Sequence, residues 1–411
     1  MIDYLLNFKK KIGFSDFFVK VIESFFGRGS FIVFSLLFTF ICARLYGPEL
    51  FGEYTYAFTL VTLLMILAKA GMDEGLIYSL PKDKYKNVSL SFIVNIAISV
   101  IIITISWFVI DDIYLKFMLP LIWLVSAEQL FFGIYRSEGK IKEFYYIYGL
   151  LSMILRVMMI ILFYYIFGKN EYSIAIAIYI SFIFSNSIYF WRNKQKFKKV
   201  IVDKKFLLYS FPLVIATMMG SLINKIDIVM LGSMSNSFSV GVYQVTAQIS
   251  KVVQVMLMVF NTVFAPKVAH LYHQGKESEL IGLYIKGTRI LALLALMVTI
   301  PILFFSDPLL SLFGEEFKYG QEALIMKCVG QFVNIAVGGV WLMLSMTGNP
   351  KFQMYANTFA FMVNIILNYF LIPKYDINGA AFASMITLVI TNVIGYIVVA
   401  KSFKARVFKF F

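Results

Sequence analysis

Cysteine and histidine are nearly missing from this sequence: Cys42, Cys328, His270 and His273 are the only four among 411 residues. Both cysteines sit inside apolar stretches, so neither a disulfide framework nor a metal-ligand spacing can be built from them. The histidines, three apart beside Gly275 and Lys276, read as solvated residues of a connection rather than as ligands. Acids are scarce as well, 23 Asp and Glu against 37 Lys and Arg. Charged residues make up 15% of the chain, well below the roughly 25% of a soluble domain. A phosphate-cradling glycine loop, a zinc-binding helix and a nucleophile elbow are all lacking. The chain is therefore not read as an enzyme, and no cofactor is called for. The opening residues carry no cleavable leader pattern, so the first apolar segment is expected to stay as the first helix.

What fills the space is hydrocarbon. Hydrophobic residues account for 60% and aromatics for 18%, with 43 Phe and 25 Tyr. A water-soluble core cannot hide that much apolar surface, so the solvent must be a bilayer, with membrane lipids as direct partners of the rings. A helix needs about 20 mainly apolar residues to cross it. Twelve such segments follow one another: Ser15–Tyr46, Phe51–Leu80, Val88–Ile110, Ile113–Tyr135, Phe144–Phe167 and Tyr172–Trp191, then Phe206–Met234, Phe238–Pro266, Leu280–Phe305, Gly320–Met346, Phe352–Ile372 and Ile377–Lys401. The expected fold is an all-α integral membrane protein with two six-helix bundles. They span 1–191 and 206–411, joined by a basic linker, 192–205.

That linker carries Arg192, Lys194, Lys196, Lys198, Lys199, Lys204 and Lys205 against the single acid Asp203. Short Lys/Arg-rich connections resist translocation, so the linker marks the cytoplasmic face. With alternating crossings, the face shared by the termini and the linker gathers 23 Lys and Arg, and the other face only five: Arg44, Lys116, Lys169, Lys318 and Lys374. Both termini are thus expected in the cytoplasm. Most of the net charge of +14 is topogenic, and a nucleic-acid partner is not expected. The halves also share a weak echo. Gly52-Glu-Tyr54 opens the second segment and Gly241-Val-Tyr243 lies in the eighth, which suggests parallel repeats about an axis along the membrane normal.

Ionisable groups inside spanning helices are costly and usually mark a cavity or a partner. Lys20, Lys286 and Arg289 lie near helix ends and can snorkel. Glu23 has Lys20 one turn earlier, and Lys69 with Asp73, four apart, can neutralise each other. The deep cations without a partner in their own helix are Arg28, Arg156, Lys225, Lys251 and Lys327, which are expected to line a cavity of positive excess. Such groups bind phosphate through charge-assisted hydrogen bonds. Asp73, Glu74, Glu128 and Asp227 are the carboxylates available for coupling to H+ or Na+.

Four stretches carry a family resemblance: ARLYGPELFGEY (Ala43–Tyr54), NKIDIVMLGSMSNSFSVGVYQVTAQI (Asn224–Ile249), FAPKVAHLYHQGK (Phe264–Lys276) and the segment Thr347–Ser384. They resemble the recurring segments of bacterial polysaccharide and O-antigen repeat-unit flippases, in the multidrug/oligosaccharidyl-lipid/polysaccharide exporter superfamily. Asp376 departs from the usual glycine at a turn. The resemblance implies two six-helix bundles forming a V in the bacterial inner membrane, with the first and seventh helices facing the cleft. It also implies a cargo, an undecaprenyl-pyrophosphate-linked oligosaccharide of the O-antigen or capsule type. The cargo would cross by ion-coupled alternating access, with polysaccharide polymerase machinery as a downstream contact. Two alternatives stand beside this one. An organic-cation antiporter of the same superfamily needs an acidic cavity, and a membrane enzyme on lipid-linked sugars needs a long outer loop or buried histidines.

Overall fold

The computed structural model describes residues 16–83, 85–348 and 350–403. Each of the twelve apolar segments is mainly helical over its described residues, with breaks inside Phe51–Leu80, Ile113–Tyr135 and Gly320–Met346, and no strand occurs among the described residues. Helix α1 (Asp16–Ala68) is two spans merged across a break at Gly47, whose φ of 82° only glycine adopts without strain. The chain reverses there, which brings the Phe38 and Tyr54 rings to 5.8 Å from each other. Beyond a short break come α2 (Met72–Asp83), α3 (Val88–Val109), α4 (Ile113–Met118) and α5 (Leu121–Ser137). Next are α6 (Ile141–Tyr145), a π-turn over Tyr146–Leu151, α7 (Ser152–Phe167) and α8 (Glu171–Asn193).

After the linker follow α9 (Lys204–Met234), α10 (Ser237–His273), α11 (Glu277–Phe304) and α12 (Ser306–Ser311). The last are α13 (Gln321–Ala336), α14 (Val340–Met346) and α15 (Pro350–Phe403). Helix α15 also breaks, at Asp376, with φ 48°. A residue in that left-handed region is usually glycine. Here the aspartate carboxylate is held by hydroxyls across the turn, Ser235 Oγ at 2.6 Å and Ser239 Oγ at 2.5 Å.

Among the described residues, eight helices are long and apolar enough to cross a membrane, or nine with the bent pair Glu315–Ala336 and Val340–Met346 taken as one. Helix α10 runs for 37 residues and carries a polar side. Gln244, Gln248, Lys251 and Gln254 recur at helical spacing along it.

Helices α1–α8 pack mainly on one another, as do α9–α15, and the two sets meet through α1 and α2 on one side and α9 and α10 on the other. The two Gly-x-Tyr motifs are at that meeting line. A Cβ on Gly52 would lie 1.7 Å from Ser237 O, and one on Gly241 2.0 Å from Pro48 O and 3.1 Å from Gly52 N. Backbone meets backbone here, in the way small residues allow helices to close up in membranes. This contact joins the two sets at the end reached by the first span of each half, one crossing away from the basic linker.

At the linker end the connections are ionic. Asp203 caps α9 by accepting from the amides of Lys205 and Phe206, and pairs with Lys86 at 3.1 Å. The Lys86 ammonium and the capping amides hold this carboxyl below the usual carboxylate range. Burial pushes Glu138 up, but hydrogen bonds from Lys196, Tyr85 and Lys140 outweigh it, and its carboxyl also lies low. Lys196 thus fastens the linker onto the first half.

Candidate functional site

Two cavities lie along the meeting line. The larger, about 660 Å3, is bounded by Phe31, Ile32, Ser35 and Leu36 of α1 and by residues 248 to 261 of α10. The smaller, about 260 Å3, sits within the second half among α9, α10, α13, α14 and α15. Lys251 and Gln254 line both, so the cavities adjoin at one turn of α10. Lys251 is exposed to this space and has no ion-pair partner among the described residues. Across the larger cavity, Gln248 donates to Ser35 Oγ at 3.1 Å.

The smaller cavity is floored by a compact polar cluster. Asp227 Oδ2 accepts from Tyr243 Oη at 2.6 Å and from Ser384 Oγ, and its Oδ1 accepts from Asn368 Nδ2 at 2.9 Å. Lys327 Nζ donates to Tyr243 Oη at 2.6 Å, lies 4.1 Å from the centre of that ring, and is 3.8 Å from Asp227 Oδ2. Three neutral donors thus converge on the Asp227 carboxylate, and hydrogen bonds to a charged group contribute roughly 1.5–3 kcal/mol each. The lysine then adds a counter-charge.

The predicted site residues do not all come together. Lys251, Lys327 and Asp227 come together at the smaller cavity. Lys225 is on α9 but turns to the other half, donating to Thr62 Oγ1, and so links the halves beside the cavity. Arg28 lies on α1, and its side chain is outside the described residues.

Arg156 requires a correction, because it borders neither of these cavities. It is 4% exposed inside the first half, donating from Nε to Ser181 Oγ at 2.9 Å, with its guanidinium 4.9 Å from the Phe182 ring and 5.8 Å from Phe38. Such stacking suits guanidinium's weak hydration and flat face. Glu128 is fully buried in the same half, accepting from Ser185 Oγ at 2.6 Å. Glu128 Oε2 and Arg156 Nη2 find no partner among the described residues. Asp73 is paired with Lys69 at 2.5 Å, as their spacing suggested. Glu74, named as a coupling carboxylate, pairs with Arg136 at 3.0 Å near the basic end.

Sequence reasoning passed over the residues that complete the cluster, namely Tyr243, Ser384 and Asn368. A usable signal was present. Polar amides at helical spacing on α10, and Asn357, Asn364 and Asn368 on α15, interrupt otherwise apolar spans.

An all-α membrane fold of two helical sets, with a polar cluster and an adjoining cleft between them, defines a transporter-like class. The comparisons give the family. The model for polysaccharide biosynthesis proteins matches residues 29–272, more than half of the chain, and that for MatE matches residues 212–370. The chain belongs to the polysaccharide biosynthesis protein family, within the multidrug/oligosaccharidyl-lipid/polysaccharide exporter superfamily. It is 25% identical to the capsular polysaccharide biosynthesis protein CapF of Staphylococcus aureus, over 85% of this chain and 91% of that one. It is 22% identical to Agl15 of Haloferax volcanii, described as a probable low-salt glycan biosynthesis flippase, over 45% of this chain and 40% of that one.

Among solved structures, an inward-facing multidrug resistance MATE transporter superposes with a TM-score of 0.74 at 15% identity, covering 91% of this chain and 95% of that one. An outward-facing MATE structure gives 0.63 at 14% identity, covering 94% and 95%. A superfamily transporter from Pyrococcus furiosus, described as having a binding pocket of reversed polarity, gives the same score and identity, again covering 94% and 95%.

Proposed function

We propose that this protein is a flippase that carries undecaprenyl-pyrophosphate-linked oligosaccharide from the cytoplasmic to the outer leaflet of the cell membrane. Lys251 carries the reading: it is an ammonium with no ion-pair partner among the described residues, exposed at the point where a cleft between the halves adjoins a polar cavity. The charged residues lining the two cavities are Lys251, Lys327 and Asp227, and the aspartate is already covered by three donors. A site with that balance favours an anionic head, and phosphate is the anion that lysine captures as a point charge. An organic-cation antiporter would need an uncommitted carboxylate facing the cargo.

In this reading the basic linker end is cytoplasmic, the cleft between α1 and α10 admits the head from that side, and the Gly52–Gly241 contact closes the outer side. Rocking of the halves opens the outer end while the lipid tail stays in the bilayer. H+ or Na+ coupling is assigned to Asp227. Of the other proposed acids, Asp73 and Glu74 are committed to Lys69 and Arg136, and Glu128 lies in the interior of the first half.

The test is translocation in proteoliposomes of a fluorescent undecaprenyl-pyrophosphate oligosaccharide, with and without an imposed ion gradient. The pair Lys251→Gln with Lys327→Gln should abolish transfer in protein that still melts cooperatively. Transfer at the parent rate by that pair would overturn the cavity assignment.

A further inference from the structure

The smaller cavity holds more hydrogen-bonding capacity than a phosphate needs. Eight Asn and Gln side chains line it, together with serine and threonine hydroxyls. Gln244, Gln254 and Asn357 make no side-chain hydrogen bond among the described residues, so their donors and acceptors are free. Thr387 and Thr391 donate to the α15 backbone, which leaves their oxygens able to accept. Trp341 faces this space, its Nε1 donating to Asn392 Oδ1 at 3.2 Å. A Cβ on Gly395 would come within 3.2 Å of Trp341 Cζ2, so the glycine leaves room for the indole.

Each carboxamide both donates and accepts, and so does a sugar hydroxyl. A pocket for a multiply charged anion would gather cations, and one for a cation would gather free carboxylates. Here the charges are confined to the Asp227–Tyr243–Lys327 cluster and to Lys251, and the remaining polar lining is neutral. At about 260 Å3 the cavity is just under the roughly 300 Å3 at which ligand pockets begin. It suits a single pyranose ring rather than an oligosaccharide.

We propose that the cavity in the second half is a saccharide subsite, which takes the neutral sugar attached to the pyrophosphate while Lys251 holds the phosphate at its mouth. The inference rests on the flippase reading and adds to it a selective contact with the first sugar. Trp341 is the only tryptophan after residue 191. It therefore provides a local signal, taken as the fluorescence component lost in Trp341→Phe.

The experiment titrates full-length protein in nanodiscs with farnesyl pyrophosphate and with the same lipid bearing glucose, galactose or N-acetylglucosamine. At least one sugar-bearing lipid should bind about tenfold more tightly than farnesyl pyrophosphate and change the Trp341 signal. Asn357→Ala and Gln244→Ala should each remove about threefold to tenfold of that gain, as expected for a lost hydrogen bond, and leave farnesyl pyrophosphate affinity unchanged. Lys251→Gln should weaken all four lipids alike. If no sugar adds affinity while farnesyl pyrophosphate binds through Lys251, the subsite is refuted and the flippase reading stands. If none of the four binds, both fall. If the amide variants weaken farnesyl pyrophosphate as much as the sugar lipids, the cavity is a phosphate site and the saccharide assignment is wrong.

Discussion

Replacing Gly241 by alanine should loosen the sealed end of the molecule. The added methyl would sit 2.0 Å from Pro48 O, whereas ordinary contact begins near 3.4 Å. The partner atom is backbone and cannot rotate away, so α10 and α1 must part by about 1.4 Å. Overpacking of this kind costs roughly 1–3 kcal/mol. The methyl strains only the sealed arrangement, so the equilibrium between closed and open ends should shift by about fivefold to 150-fold toward open. The assay is labelling of Gln244→Cys, one turn inward from the seal, by a membrane-impermeant maleimide added on the side away from the basic linker. Background is low because Cys42 and Cys328 are fully buried. Gly241→Ala should raise the labelling rate by a factor in that range. Gly52→Ala should do the same, and the double variant should add little because both act on one contact. Unchanged labelling in a variant that melts like the parent would refute the idea that this glycine pair is the seal.

Three further outcomes follow from the polar clusters. Lys327→Met leaves Asp227 without its counter-charge and should lower the melting temperature more than the pair Lys327→Met with Asp227→Asn, as measured by thermal unfolding in detergent. Arg156→Ala removes a buried guanidinium from between two rings and should reduce the amount of folded protein, whereas Lys251→Gln should leave that amount unchanged; quantitative blotting beside a translocation assay separates the two. The Glu138 and Asp203 carboxyls are held low, so their attachments are intact at neutral pH and are lost as the pH falls through their depressed values. Melting temperature should therefore stay level down to about pH 4 and fall below it, with a smaller fall in Glu138→Gln with Asp203→Asn.

The spans were legible because a bilayer imposes a length and a polarity on every crossing. Gly47 and Asp376 could be read as breaks for the same reason. The backbone shows that at each break two helices meet across a single residue of positive φ. Lys69 and Asp73 pair as their spacing suggested, although the helix expected to carry both is broken between them, with positive φ at Ala70 and Gly71. Partners far apart in the sequence carry no such mark. Lys327 joins Asp227 from a distant part of the chain, Glu74 finds Arg136, and Arg156 turns to Ser181 instead of the cleft. Depth in the bilayer could be estimated from position in each span, but the direction a side chain faces depends on helix rotation.

The polar side of α10 has a consequence for how the chain reaches its final form. A lysine at mid-helix disfavours insertion by about 2.5–3.5 kcal/mol, and three glutamines flank this one. A ribosome-fed channel that releases segments one at a time into lipid would leave α10 waiting. Its exit is expected to depend on α9, already emerged, and on α13 and α15, still to be made. Biogenesis of the second half would then be collective, and a truncation ending after α10 should be degraded rather than integrated.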